Sequence, residues 1–122
     1  MNKSSHPPIA LIKTKSAYSL WFQTLAEFPK VYRYNLGGKI EGYFLLLLES
    51  LFIASYLSKE KKIAQLSIVV LKLDNLKFFL QLAWENKCIS NDKYSVLSEN
   101  LNEIGRMVGG WKRGLEKQNS PE

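Results

Sequence analysis

Residues 66–84 read Leu66-Ser67-Ile68-Val69-Val70-Leu71-Lys72-Leu73-Asp74-Asn75-Leu76-Lys77-Phe78-Phe79-Leu80-Gln81-Leu82-Ala83-Trp84, and they carry two apolar patterns at once. Leu66, Val69, Leu73, Leu76, Leu80 and Ala83 alternate steps of three and four, the seam that a helix presents to its neighbours in a bundle. Ile68, Leu71, Phe78, Phe79, Leu82 and Trp84 fall off that seam. A helix apolar over so much of its circumference has to be covered on a second side. Each helix of a four-helix bundle keeps an outward face, so this second surface finds no partner within one chain. Ile68, Leu71, Phe78, Phe79 and Leu82 are therefore predicted to form an oligomer interface. The competing reading is a monomer in which these side chains lean over the edges of the seam.

The segments on either side follow the same period. Downstream, Ser90-Asn91-Asp92 supplies an N-cap cluster with an acid at the positive end of the helix dipole. Tyr94, Leu97, Leu101, Ile104, Val108 and Trp111 then keep strict three-four spacing, and Lys112, Arg113 and Lys117 suit the negative end. Upstream, past the charged corner Ser58 to Lys62 where Ser58 can cap, Leu36, Ile40, Tyr43 or Phe44, Leu47, Leu51 and Ala54 form a stripe. Leu45, Leu48 and Phe52 widen it, and Gly37-Gly38 near its start suggests a close approach or a bend. A first helix is predicted over about Thr14 to Glu27 from Tyr18, Trp21, Leu25 and Phe28, and Pro29 ends it. The predicted fold is all-α, an antiparallel up-down four-helix bundle over 14–117 that assembles as a homo-oligomer, with a flexible leader 1–13 and a disordered tail 118–122.

Composition narrows the partners. At 122 residues and 46% hydrophobic content the chain has room for one core. Its net charge of +6 favours polyanions. The single cysteine, Cys88, rules out an internal disulfide and reads as a small apolar residue near a helix end, which fits a cytoplasmic setting. The most apolar run, Tyr43 to Leu57, is broken by Glu49 and two serines. It falls short of the roughly 20 residues of a membrane span, so no membrane partner is expected.

Nor do the residues assemble a catalytic set. The only histidine, His6, lies in the leader, and Glu49, Glu85, Glu99 and Glu103 lack the Glu-His spacing of a carboxylate metal site. Neither an enzyme nor a metal or other cofactor is predicted, and the glycine pairs lack the strand-turn-helix context of a phosphate loop. What remains is basic: Lys30, Arg33, Lys39, Lys72, Lys77, Arg106, Lys112 and Arg113 are the candidates for contacting nucleic acid or a nucleic-acid enzyme, with Tyr32 and Tyr34 as stacking faces for unpaired bases. Lys59, Lys61, Lys62 and Lys93 read as solubilising charge. Arg33 and Arg106 also admit a structural role, bonding helix ends or a neighbouring subunit.

Two stretches go further. Phe28-Pro29-Lys30-Val31-Tyr32-Arg33-Tyr34-Asn35-Leu36-Gly37, followed by Ile40, resembles the F-P-K-x-x-R-[FY]-x-L-G-x-x-I signature of the Avd accessory proteins of diversity-generating retroelements. Glu103-Ile104-Gly105-Arg106-Met107-Val108-Gly109-Gly110-Trp111 resembles that family's E-I-G-R-M-[LV]-G-G-W ending, and Leu73 to Leu80 with Leu82-Ala83 resembles its third helix. The likeness runs from about Ile12 to Lys112. The related ribosomal RNA intervening-sequence proteins share the bundle but carry an F-P-x-x-E-x-[FY]-x-L run and an N-[IV]-A-E-G stretch, and this chain has neither. The resemblance implies a barrel-like homopentamer that binds the retroelement's reverse transcriptase and template RNA, the chemistry belonging to the polymerase. Gly38 stands where the family often has a polar residue, so contacts of that position do not carry over. An alternative from the residues alone is a structural homo-oligomer or protein-binding adaptor that does not touch nucleic acid.

Overall fold

The computed structural model describes residues 8–119, and these form four long helices and one single-turn helix with no strand among them. The helices are α1 (Ile9–Leu25), α2 (Lys30–Arg33), α3 (Leu36–Tyr56), α4 (Lys59–Glu85) and α5 (Asn91–Asn119). The long helices form a closed ring in which α1 packs on α3 and α5, and α4 packs on α3 and α5. Every neighbouring pair is antiparallel. Tyr18 and Trp21 meet Glu41, Tyr43 meets Phe79, Trp84 meets Tyr94, and Lys13 meets Glu103, so partner numbers fall along one helix as they rise along the next.

The core is the set of seams. Leu66, Val69, Leu73, Leu76, Leu80 and Ala83 of α4 are all buried, as are Leu97, Leu101, Ile104 and Val108 of α5 and Ile40, Phe44, Leu47, Leu51 and Ala54 of α3. Trp21 sits between Phe44, stacked at 5.9 Å, and Phe28, edge-on at 5.4 Å. Its burial anchors α1, and a large aromatic in such a place is worth about 3–5 kcal/mol against alanine.

Three boundaries differ from the periodic reading. Helix α1 starts at Ile9, so residues 9–13 of the predicted leader are helical, while residues 1–7 lie outside the described residues. Pro8 caps this start, its carbonyl accepting from the N–H groups of Leu11 and Ile12. Ala10 and Leu11 extend the buried stripe, and buried Thr14 spends its hydroxyl on the Ala10 carbonyl at 2.7 Å. Helix α1 ends at Leu25, and the following turn brings Phe28 back into the core at 1% exposure. Helix α5 runs to Asn119, so positions 118 and 119 of the predicted tail are helical, and 120–122 lie outside the described residues.

The connections explain several polar residues. Ser90 accepts the Lys93 N–H at 3.2 Å, the cap predicted for α5, whereas the Ser58 hydroxyl makes no cap bond and only its carbonyl engages Lys62. Gly37 is a close approach: a Cβ there would come within 2.7 Å of Leu25 Cδ1 and 3.4 Å of Phe28 and the Tyr32 carbonyl. Helix α4 ends in a Schellman turn, with the Cys88 N–H on the Ala83 carbonyl and the Lys87 N–H on the Trp84 carbonyl, both at 2.9 Å. The residue forced to left-handed geometry in it is Lys87, at φ 63°. A lysine there costs about 1 kcal/mol relative to glycine.

Candidate assembly face and nucleic-acid interface

The outward face of α4 is apolar. Ile68, Leu71 and Phe78 are 44%, 60% and 60% exposed, while Phe79 and Leu82 are half-buried. Positions 68, 71, 75, 78 and 82 alternate steps of three and four, so Ile68, Leu71, Phe78 and Leu82 form a second seam with Asn75 at its centre. Phe79 turns toward α3, stacking on Tyr43 at 5.5 Å and meeting Phe78 edge-on at 5.1 Å. The apolar exterior continues beyond the five predicted residues: Leu45, Leu46, Phe52 and Tyr56 of α3 are exposed, as is Phe22 of α1. In the sequence Leu45 and Phe52 registered only as a widened stripe, because the width of a stripe does not say which of its edges a neighbour covers.

The eight candidate cations do not form one patch. Lys39 lies over the rings of Tyr43 and Phe79, at 5.5 and 5.7 Å from their centroids, and Lys72 shares that edge of α4 because it is seven residues from Phe79. Lys77 faces the other edge, its ammonium 3.6 Å from where a Gly105 Cβ would stand. On α5 the Arg113 guanidinium folds back over Gly109, and exposed Arg106 holds Glu99 at 3.5 Å. Arg106, Gly110, Arg113 and Lys117 follow three-four spacing, so Lys117, besides suiting the negative end of the helix dipole, continues the same basic stripe. Lys112 pairs with Glu116 at 3.7 Å. These exposed ion pairs are individually weak and leave the cations exchangeable.

Lys30 and Arg33 lie at the α1–α3 corner, Lys30 exposed and Arg33 half-buried. Arg33 is committed to the fold: its Nη2 donates to the Phe28 carbonyl at 3.0 Å and the Ala26 carbonyl at 3.3 Å, and its Nε is buried without a partner. The guanidinium thus satisfies carbonyls at the end of α1, a role for which its fork of donors is suited.

Glu41 was invisible to periodicity. Its half-buried carboxylate accepts the buried Trp21 indole N–H at 2.8 Å and the Tyr18 hydroxyl at 2.5 Å, tying α1 to α3. The hydrogen bond to Glu41, then burial, then the Glu41 charge hold the Tyr18 phenol above its ordinary pKa. Because the folded-state value exceeds the unfolded one, this contribution is complete below about pH 10 and is lost as pH rises through the folded value. Thermal unfolding followed from neutral to strongly alkaline pH should show that loss, and Tyr18→Phe should flatten it. Cys88 is buried at the α4–α5 corner, and burial pushes its thiol pKa up.

Among the described residues no helix is long and apolar enough to cross a membrane, and no three His, Cys, Asp or Glu side chains gather where they could hold a metal ion. By its packing and charge the chain is a small, basic, antiparallel four-helix-bundle protein. Residues 9–115 match the family described as bAvd-like, and the chain belongs to it. No curated protein and no solved structure matches the chain.

Proposed function

We propose that this protein is a non-catalytic accessory factor of a diversity-generating retroelement, a homo-oligomer that binds template RNA and the reverse transcriptase. The family match supports the setting. The observation that carries the RNA contact is the α4–α5 edge, where Lys77 and Arg113 lie over a floor of glycine backbone beside exposed Arg106. Cations gathered along one edge can neutralise successive phosphates, and repeating that edge around a symmetric oligomer multiplies the charge offered to one RNA. The apolar seam of α4 is the surface on which subunits meet, and a pentamer is the state the family resemblance implies.

The test is filter binding of single-stranded, template-like RNA to Lys77→Gln/Arg106→Gln/Arg113→Gln. With three phosphate contacts removed, the slope of log K against log salt should fall by about 2 and affinity should drop on the order of tenfold to a hundredfold, with helical content unchanged. Unchanged affinity and slope would leave an adaptor that meets the polymerase without touching RNA, the reading otherwise favoured by the wide apolar exterior. Arg33 is left out of this set because its donors already serve backbone carbonyls.

A further inference from the structure

We propose that the cavity at the α4–α5 corner is a ribonucleotide-binding pocket, with Trp84 as the wall for the base and Lys87 as the ligand of the phosphate. The cavity measures about 460 Å³ and is lined by Trp84, Lys87, Ser90 and Asn91, by Thr24 of α1 and Glu27 of the turn after it, and by buried Cys88 and Ile89. That volume falls in the range of about 300–1,000 Å³ in which small-molecule sites lie.

The lining has the chemistry of a nucleotide. Trp84 stacks on Tyr94 at 4.7 Å and 8°, and Tyr94 does not line the cavity, so the indole surface that Tyr94 leaves uncovered is the part that borders it. The Trp84 N–H is fixed on Asn91 Oδ1 at 2.8 Å, which holds the ring in place and turns the Asn91 amide nitrogen into a free donor. Ser90 accepts the Lys93 N–H, and its own hydroxyl proton remains to be given. Glu27, paired with Lys93, offers a carboxylate acceptor for the exocyclic groups of a base.

Lys87 makes the choice of an anionic ligand. It is exposed, and among the described residues it has no ion pair. Its backbone is left-handed at φ 63°, a position that glycine fills without strain. The chain accepts that strain and keeps an amine at the mouth of an aromatic-walled cavity, a combination explained if the amine is needed there. The same end of the bundle carries Lys30, Tyr34 and Lys39, because the α1–α3 and α4–α5 connections both lie there. A pocket for one nucleotide would extend a basic surface from sequence-tolerant phosphate contacts to a contact with a single base.

The inference rests on the proposed RNA binding only for the source of the nucleotide, which is either an unpaired residue of RNA or a free mononucleotide. Tryptophan emission reads occupancy, in a Trp111→Phe background that leaves Trp84 and the fully buried Trp21. That protein is titrated with each of AMP, GMP, CMP and UMP and with a short single-stranded oligoribonucleotide. Saturable quenching by a mononucleotide, or by the oligonucleotide alone, assigns the pocket to a free nucleotide or to an RNA base respectively. Adding Lys87→Gly should weaken that binding on the order of tenfold while the Tm stays the same or rises, because glycine relieves the left-handed turn. A purely structural lysine cannot give that opposite pair of effects. The Lys77/Arg106/Arg113 variant, which leaves the corner intact, should still bind a mononucleotide if RNA retention along the α4–α5 edge fails. Absence of saturable quenching by every ligand, or equal binding by the Lys87→Gly protein, overturns the proposal.

Discussion

Leu71→Glu combined with Phe78→Glu is expected to convert the proposed homo-oligomer into folded monomers. Both side chains point outward at 60% exposure, so the substitutions remove no core atom of the bundle and helical content should change little. What they remove is the centre of the second seam of α4, flanked by Ile68 and Leu82. Losing the apolar burial of two large side chains and placing charge in their stead costs about 4 kcal/mol per contact, on the order of a thousandfold in association. Light scattering across a concentration series, with circular dichroism on the same samples, reads both halves of the expectation. A wild-type protein that is monomeric at micromolar concentration would move this face from self-association to a different partner, and a double variant of unchanged mass would exclude the face altogether.

The two central helices were legible because their signals are local. Every residue of the α4 seam predicted from spacing is buried, and on α5 Leu97, Leu101, Ile104 and Val108 are buried with Tyr94 and Trp111 packed against them. Helix α1 was harder. Lys13, Lys15 and Ser16 dilute its first turns, and its stripe there is carried by Ala10, Leu11 and a threonine that hides its hydroxyl on its own backbone. The site residues were legible as types and not as an arrangement. Periodicity says that Lys72 and Phe79 share a face, but only the packing of α4 between α3 and α5 separates Lys39 and Lys72 on one edge from Lys77 on the other. Arg33 shows the same limit from the opposite side. A basic residue in a basic run reads as a contact, and its use for carbonyls five and seven residues back depends on a turn that no spacing rule contains.

Glu41 is the strongest instance, and its replacement is expected to carry a large cost in stability. Its partners are 20 and 23 residues away in sequence, so in one dimension it is one more charge on a helix. In the fold, Glu41→Ala leaves the indole N–H of Trp21, a residue with 0% exposure, without an acceptor and removes the Tyr18 contact between α1 and α3. An unsatisfied buried donor costs about 1–3 kcal/mol, and the lost bonds to a charged acceptor bring the expected total to about 2–4 kcal/mol. That is a large share of a stability that for small domains is about 5–15 kcal/mol. Glu41→Gln should cost less, about 1–2 kcal/mol, because one amide oxygen can still accept from Trp21 while the amide nitrogen faces the Tyr18 hydroxyl without accepting from it. Urea unfolding followed by circular dichroism should therefore order the variants wild type, Glu41→Gln, Glu41→Ala. In a cycle with Tyr18→Phe, the alanine variant should lose most of the effect of the second change, since the bond it would break is already gone. Additive costs would mean that Tyr18 and Glu41 act independently, and the clasp between α1 and α3 would then reduce to the single bond from Trp21.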